Sequence, residues 1–106
     1  MKGDSKEMLI TDRTWLGRQA WFRERIVATC GVRLRLKIRS DAYAFQSVAN
    51  AEVWRDNEGA WSHVHTIAGE QMKTIASYVN RDVKPSAFDE DIAELRRVAL
   101  AILGVA

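Results

Sequence analysis

The chain has little of what usually staples or interrupts a fold. One cysteine, Cys30, stands among 106 residues, which excludes an internal disulfide framework and any cysteine-built zinc module. There is one proline, Pro85, and the six glycines are scattered. That leaves neither a Pro/Gly-rich linker nor a glycine-rich loop to cradle phosphates. No apolar run approaches the roughly 20 residues a membrane helix needs, and the opening MKGDSKEMLITDR is polar and mixed in charge, unlike a signal peptide. These absences predict a cytoplasmic protein with no membrane contact and no bound cofactor. Gly-x-Ser-x-Gly is missing, and Cys30, expected to follow a helix C-terminus where the dipole disfavours a thiolate, reads as a small buried hydrophobe.

Neither sign of charge dominates overall, since the formal net charge is +2. That total hides a segregation. Residues 13–40 carry Arg13, Arg18, Arg23, Arg25, Arg33, Arg35, Lys37 and Arg39 against the single acid Glu24, a local net of +7, and the rest of the chain is acidic. A hydrophobic content of 47% with 28% charged residues fits one ordinary globular domain. Residues 1–10 are expected to be a flexible tail or a short edge segment, and residues 11–106 a single domain.

The pattern predicts an α+β fold. From Asp12 to Ala28 the apolar residues Trp15, Leu16, Ala20, Phe22, Ile26 and Val27 gather, with Cys30, in one arc of a helical wheel. Thr11 or Asp12 would supply the N-cap, and Gly31 suits the left-handed position after the helix. VRLRLKIR at 32–39 alternates apolar and basic residues, the period of a half-buried strand. A turn at Ser40-Asp41, a strand from Ala42 to Arg55, a turn at Asp56-Asn57-Glu58-Gly59 and a strand from Ala60 to Ala68 complete a three-stranded antiparallel meander. Two C-terminal helices follow. One spans Gly69 to Asn80 on the stripe Met72, Ile75, Ala76 and Val79. The other is capped by Ser86 with Asp89 and buries Phe88, Ile92, Leu95, Ala99, Ile102 and Leu103. Helices would pack on one sheet face.

Register follows from the turns. The first sets Val32 opposite Ala49 and Leu36 opposite Phe45; the second sets Val53 opposite Ser62 and Ala51 opposite Val64, with no bulge. The core face then carries Val32, Leu34, Leu36, Ile38, Tyr43, Phe45, Ala49, Ala51, Val53, Val64 and Thr66. The outer face carries Arg33, Arg35, Lys37, Arg39, Gln46, Val48, Asn50, Glu52, Trp54, Trp61, His63, His65 and Ile67. Facing residues share a side of the sheet, so Trp54 pairs with Trp61, Glu52 with His63 and Asn50 with His65.

This outer face is the strongest functional signal. Arg and Trp are the residues enriched at protein interface hot spots, so the leading expectation is a small non-enzymatic module that binds a protein partner. It would act as an inhibitor or adaptor by occlusion, or pair with a second copy as a homodimer. Trp54 and Trp61 would anchor it, with Arg33, Arg35, Lys37 and Arg39 as charge-complementary contacts. Trp21, Arg18 and Arg25, on the polar arc of the first helix, form a second candidate group. Cations bind phosphates and aromatic rings stack on bases, which makes nucleic-acid binding through Arg33, Arg35, Lys37 and Arg39 the alternative. The bland alternative is a solvated strand face with its tryptophans covered by the tail or by arginine stems. His63 and His65, two apart in a strand, would point to one side with Glu52 and form a metal or acid–base site.

The order helix, three-stranded meander, helix is similar to that of double-stranded-RNA-binding domains over roughly residues 12–104, with an extra helix at 69–80. The resemblance is topological and carries no motif. Where that family places a lysine cluster at the start of its last helix, this chain has Ser86-Ala87-Phe88-Asp89-Glu90-Asp91, which would repel phosphates.

Overall fold

The structure, a computed structural model, describes residues 6–41, 46–72 and 88–105. Five strands run in chain order: β1 (Met8–Leu16), β2 (Ala20–Thr29), β3 (Val32–Asp41), β4 (Gln46–Arg55) and β5 (Ala60–Ala68). They form one antiparallel sheet in the order β1-β2-β3-β4-β5. A 3-10 turn at Gly69–Gln71 leaves β5, and one helix, α1 (Asp89–Leu103), packs on β3, β4 and β5.

The expected N-terminal helix is a β-hairpin. Gly17 turns the chain, donating its N–H to the Ala20 carbonyl at 2.8 Å, and Leu16 faces Trp21. β2 alternates, but each of its faces mixes apolar and charged residues. Trp21, Arg23, Arg25, Val27 and Thr29 point to the helix side, as their pairing with Ser40, Ile38, Leu36, Leu34 and Val32 shows; Phe22, Glu24, Ile26 and Ala28 point outward. The helical wheel therefore collected residues from both faces of a hairpin. Asp12 is no N-cap: it sits within β1 and accepts hydrogen bonds from Arg23 at 2.7 and 3.1 Å and from Arg25 at 3.0 Å. Cys30 is exposed, not buried. It and Gly31 make the two-residue turn between β2 and β3, with φ of 51° and 79°, the positive values that suit the twist of a tight hairpin. With the first helix gone, the resemblance in topology to double-stranded-RNA-binding domains lapses as well.

The turn after β3 also moves. β3 continues through Asp41, past the expected turn at Ser40-Asp41, and Leu34, Leu36 and Ile38 face Val53, Ala51 and Ala49. Tyr43 and Phe45 lie outside the described residues. The register differs from expectation by an even number of residues, so every described β3 and β4 side chain keeps its expected face.

Between β4 and β5, Val53 faces Ser62, Trp54 faces Trp61 and Glu52 faces His63, as expected. A bulge then shifts the ladder, and Ala51 faces His65 instead of Val64. Beyond it the faces of β5 are exchanged: Thr66 joins Asn50 outside and Ile67 is buried. One extra residue in one strand has this effect because side chains alternate with period two.

The core is the helix-side face of the sheet under α1. Val27, Leu34, Leu36, Ile38, Ala49, Ala51, Val53 and Ile67 meet Met72, Phe88, Ile92, Leu95, Ala99 and Leu100. Ala49 and Ala51, small and central, leave room for the helix. The acids Asp89, Glu90 and Asp91 occupy its first turn, where the dipole favours them. Phe88 stands at the cap position without a side-chain bond; Ser86 lies outside the described residues. Leu100 is buried where Ile102 was expected, and Ile102 is exposed. Most of the helix expected over 69–80 also lies outside the described residues; its first three residues form the 3-10 turn. Among the described residues there is thus one C-terminal helix, and no helix long and apolar enough to cross a membrane.

Candidate interaction surface

The outer face of the sheet has no element packed on it among the described residues. Arg33, Arg35, Lys37 and Arg39 project there from β3, as their alternation with buried Leu34, Leu36, Ile38 and Ser40 requires. Two carboxylates, Glu52 and Asp41, offset half the charge of this ladder. Glu52 receives Arg35 Nε at 2.8 Å and Lys37 Nζ at 3.1 Å. Arg39 pairs with Asp41 at 3.1 Å, and Arg13 of β1 with Glu24 at 3.3 Å. Burial, the largest single influence on Glu52, would raise its pKa. The hydrogen bonds from Arg35 and Lys37 and their charges together outweigh it, and hold the carboxyl below its ordinary value of 4.5.

Two aromatic clusters stand at opposite corners of this face, and β3 links them. Trp54 and Trp61 meet edge to face, ring centres 5.4 Å apart, and the Arg35 guanidinium lies 4.6 Å over the Trp61 ring. Trp54 Nε1 donates to Asp56 at 2.8 Å, which fixes the indole against the turn after β4. At the other corner Trp15 stacks on Phe22 at 5.3 Å. Arg13 lies 4.6 Å over Trp15, and Arg39 lies 5.8 Å over Phe22. Each arginine over a ring is also held by a carboxylate, so cation–π contact and ion pair fix the same side chain.

The other expected groupings do not assemble. Arg18 is exposed in the turn between β1 and β2, whereas Trp21 packs against the core from the helix side. Arg25 is on that helix side too, bonded to Asp12, with its Nε buried and without a hydrogen-bond partner. The bulge separates the histidines. His63 stays outside beside Glu52, its Nε2 3.2 Å from the Thr66 hydroxyl, while His65 faces Ala51 on the helix side. They cannot share a metal ion, and no cluster suited to one occurs among the described residues.

Sequence reasoning missed Trp15, Phe22 and Arg13 as members of this face. Read as a helix, residues 12–28 offered no cross-strand partners; the alternation of Phe22, Glu24, Ile26 and Ala28 was the signal available.

Compared with known proteins, the chain matches no protein-family model, no curated protein and no solved structure.

Proposed function

We propose that the chain is a small non-enzymatic module that binds a protein partner through the outer face of its sheet. The observation that carries this reading is the set Trp54–Trp61–Arg35, in which Glu52 holds the guanidinium, Asp56 holds the Trp54 indole, and Trp61 packs between them. Rigid aromatic and arginine side chains lose little conformational freedom on docking, which is why they dominate interface energetics. The Trp15–Phe22 pair extends the anchor to the far corner. Glu52, Asp41 and Glu24 offset much of the basic ladder, so the surface favours a partner with apolar pockets and a few acids over a uniform polyanion.

The test is affinity capture from the native host with the wild-type chain and with Trp61→Ala/Arg35→Ala, each checked for folding by circular dichroism. The reading expects specific proteins retained by the wild type and lost from the folded double variant. Binding of random-sequence RNA or DNA that falls steeply with salt and needs Arg33, Arg35 and Arg39 would instead establish the nucleic-acid alternative.

A further inference from the structure

Edge strands of monomeric proteins are ordinarily short, charged or covered, because their free backbone groups recruit other strands. β1 is an edge strand of nine residues. Six large hydrophobic residues are exposed among the described residues, and five of them lie on it: Met8 (65%), Leu9 (57%), Ile10 (42%), Trp15 (38%) and Leu16 (56%). They emerge on both sides of the sheet. Met8 and Trp15 lie beside Ala28 and Phe22 of the outer face, Leu9 and Leu16 beside Val27 and Trp21 of the helix side. A loop or helix laid on the sheet would cover one set. A further strand covers both.

The order of residues along β1 identifies that strand. Met8-Leu9-Ile10 is apolar, Thr11-Asp12-Arg13-Thr14 is polar, and Trp15-Leu16 is apolar again, so a polar centre is flanked by an apolar block at each end, with a bulge between Leu9 and Thr11 at the first boundary. Antiparallel pairing with itself brings each apolar end onto the opposite apolar end and the polar centre onto the polar centre. The segment carries one acid and one base, so two copies meet without net repulsion. Asp12, near the centre, is already neutralised by Arg23 and Arg25.

We propose that the chain forms a homodimer by antiparallel β1–β1 pairing about a two-fold axis normal to the sheet, joining two five-stranded sheets into one of ten strands. Such a seam uses the same strand on both sides and closes on itself. It also carries both Trp15–Phe22 clusters onto one continuous outer face, at opposite ends of the seam, each beside the Met8–Ile10 end of the partner's strand. The proposal stands apart from the partner-binding reading, since it uses the edge of the sheet and not its face.

Sedimentation equilibrium from low micromolar to several hundred micromolar tests it. The wild-type mass should climb from 12.0 kDa towards twice that value and stop there. The variant Leu9→Lys/Leu16→Lys, altered at side chains already in water, should stay at the monomer mass, while Trp61→Ala should dimerise like wild type. Hydrogen exchange on the unmutated protein supplies an independent readout: protection of amides in residues 8–16 should rise with protein concentration. A wild type that is monomeric throughout, a mass that grows past the dimer, a dimer that forms without added protection of β1, or a dimer abolished by Trp61→Ala would each overturn it.

Discussion

Removing Asp12 should damage the protein more than removing the buried arginine it serves. Arg23 is 5% exposed, and Asp12 holds it through two bonds of 2.7 and 3.1 Å; Asp89 touches it at 3.2 Å from a more open position. Stripping one partner from a fully buried pair costs about 3–5 kcal/mol, because the other charge is left in a poor solvent. Here Asp89 remains and the Asp12 side chain is itself 25% exposed, so Asp12→Ala should cost less, about 2–3 kcal/mol, or roughly 10–20 °C in melting temperature for a domain of this size. Arg23→Met removes the buried charge itself, keeps the stem's packing, and should cost about 1 kcal/mol or less. The double variant should therefore be more stable than Asp12→Ala alone. Urea denaturation of the four proteins closes a double-mutant cycle. Additive losses would refute the reasoning, since they would mean that Arg23 gains nothing from its carboxylate. The same pair sets an acid limit. Burial pushes Asp12 upward, but the hydrogen bonds from Arg25 and Arg23, with their charges, depress its pKa below the ordinary 3.8. A carboxyl depressed in the folded state contributes stability that is fully present above its unfolded pKa. That stability is lost as pH falls through the folded value, so wild type should lose stability below about pH 4 more steeply than Asp12→Ala.

Two further outcomes follow from the packing. Leu95→Ala, at a fully buried helix position between α1 and the sheet, should cost about 2–5 kcal/mol, whereas Ile102→Ala on the exposed side of the same helix should change stability by less than about 0.5 kcal/mol; equal losses in thermal melts would place the helix face wrongly. In Gly17→Ala the new methyl would stand 2.8 Å from Phe22 Cε2. Because that ring is stacked on Trp15, the substitution should cost about 1–3 kcal/mol and alter tryptophan fluorescence; an unperturbed spectrum at full stability would show that the stack is loose.

Legibility differed from strand to strand for physical reasons. From Val32 to Ser40 in β3 every outward residue is basic and every inward one apolar or, at Ser40, small and bonded to Ser47 at 3.0 Å. Such a segment has one stable setting against a core, and its faces were readable from the letters. The pairs Trp54–Trp61 and Glu52–His63 followed because Asp56-Asn57-Glu58-Gly59 fixes the turn between β4 and β5. β2 was unreadable for the opposite reason. Arg23 is buried by virtue of Asp12 and Asp89, one a strand away and one at the far helix, and no local rule expects an arginine on the core side. The bulge near His65 was equally hidden, because a one-residue insertion in a ladder leaves no mark in a short alternating strand.

The sequence by itself determined the basic outer ladder of β3, the tryptophan pair across the β4–β5 turn and, at the last helix, the buried positions Phe88, Ile92, Leu95 and Ala99, all consequences of local period and turn chemistry. Only the tertiary structure decided that residues 8–16 and 20–29 are strands, that Arg23 and Arg25 face inward, that the histidines part company, and that Trp15 and Phe22 join the outer face. Those outcomes depend on charge pairs and strand partners distant along the chain, and burial of an ion pair is worth its desolvation only once the fold has brought both partners together.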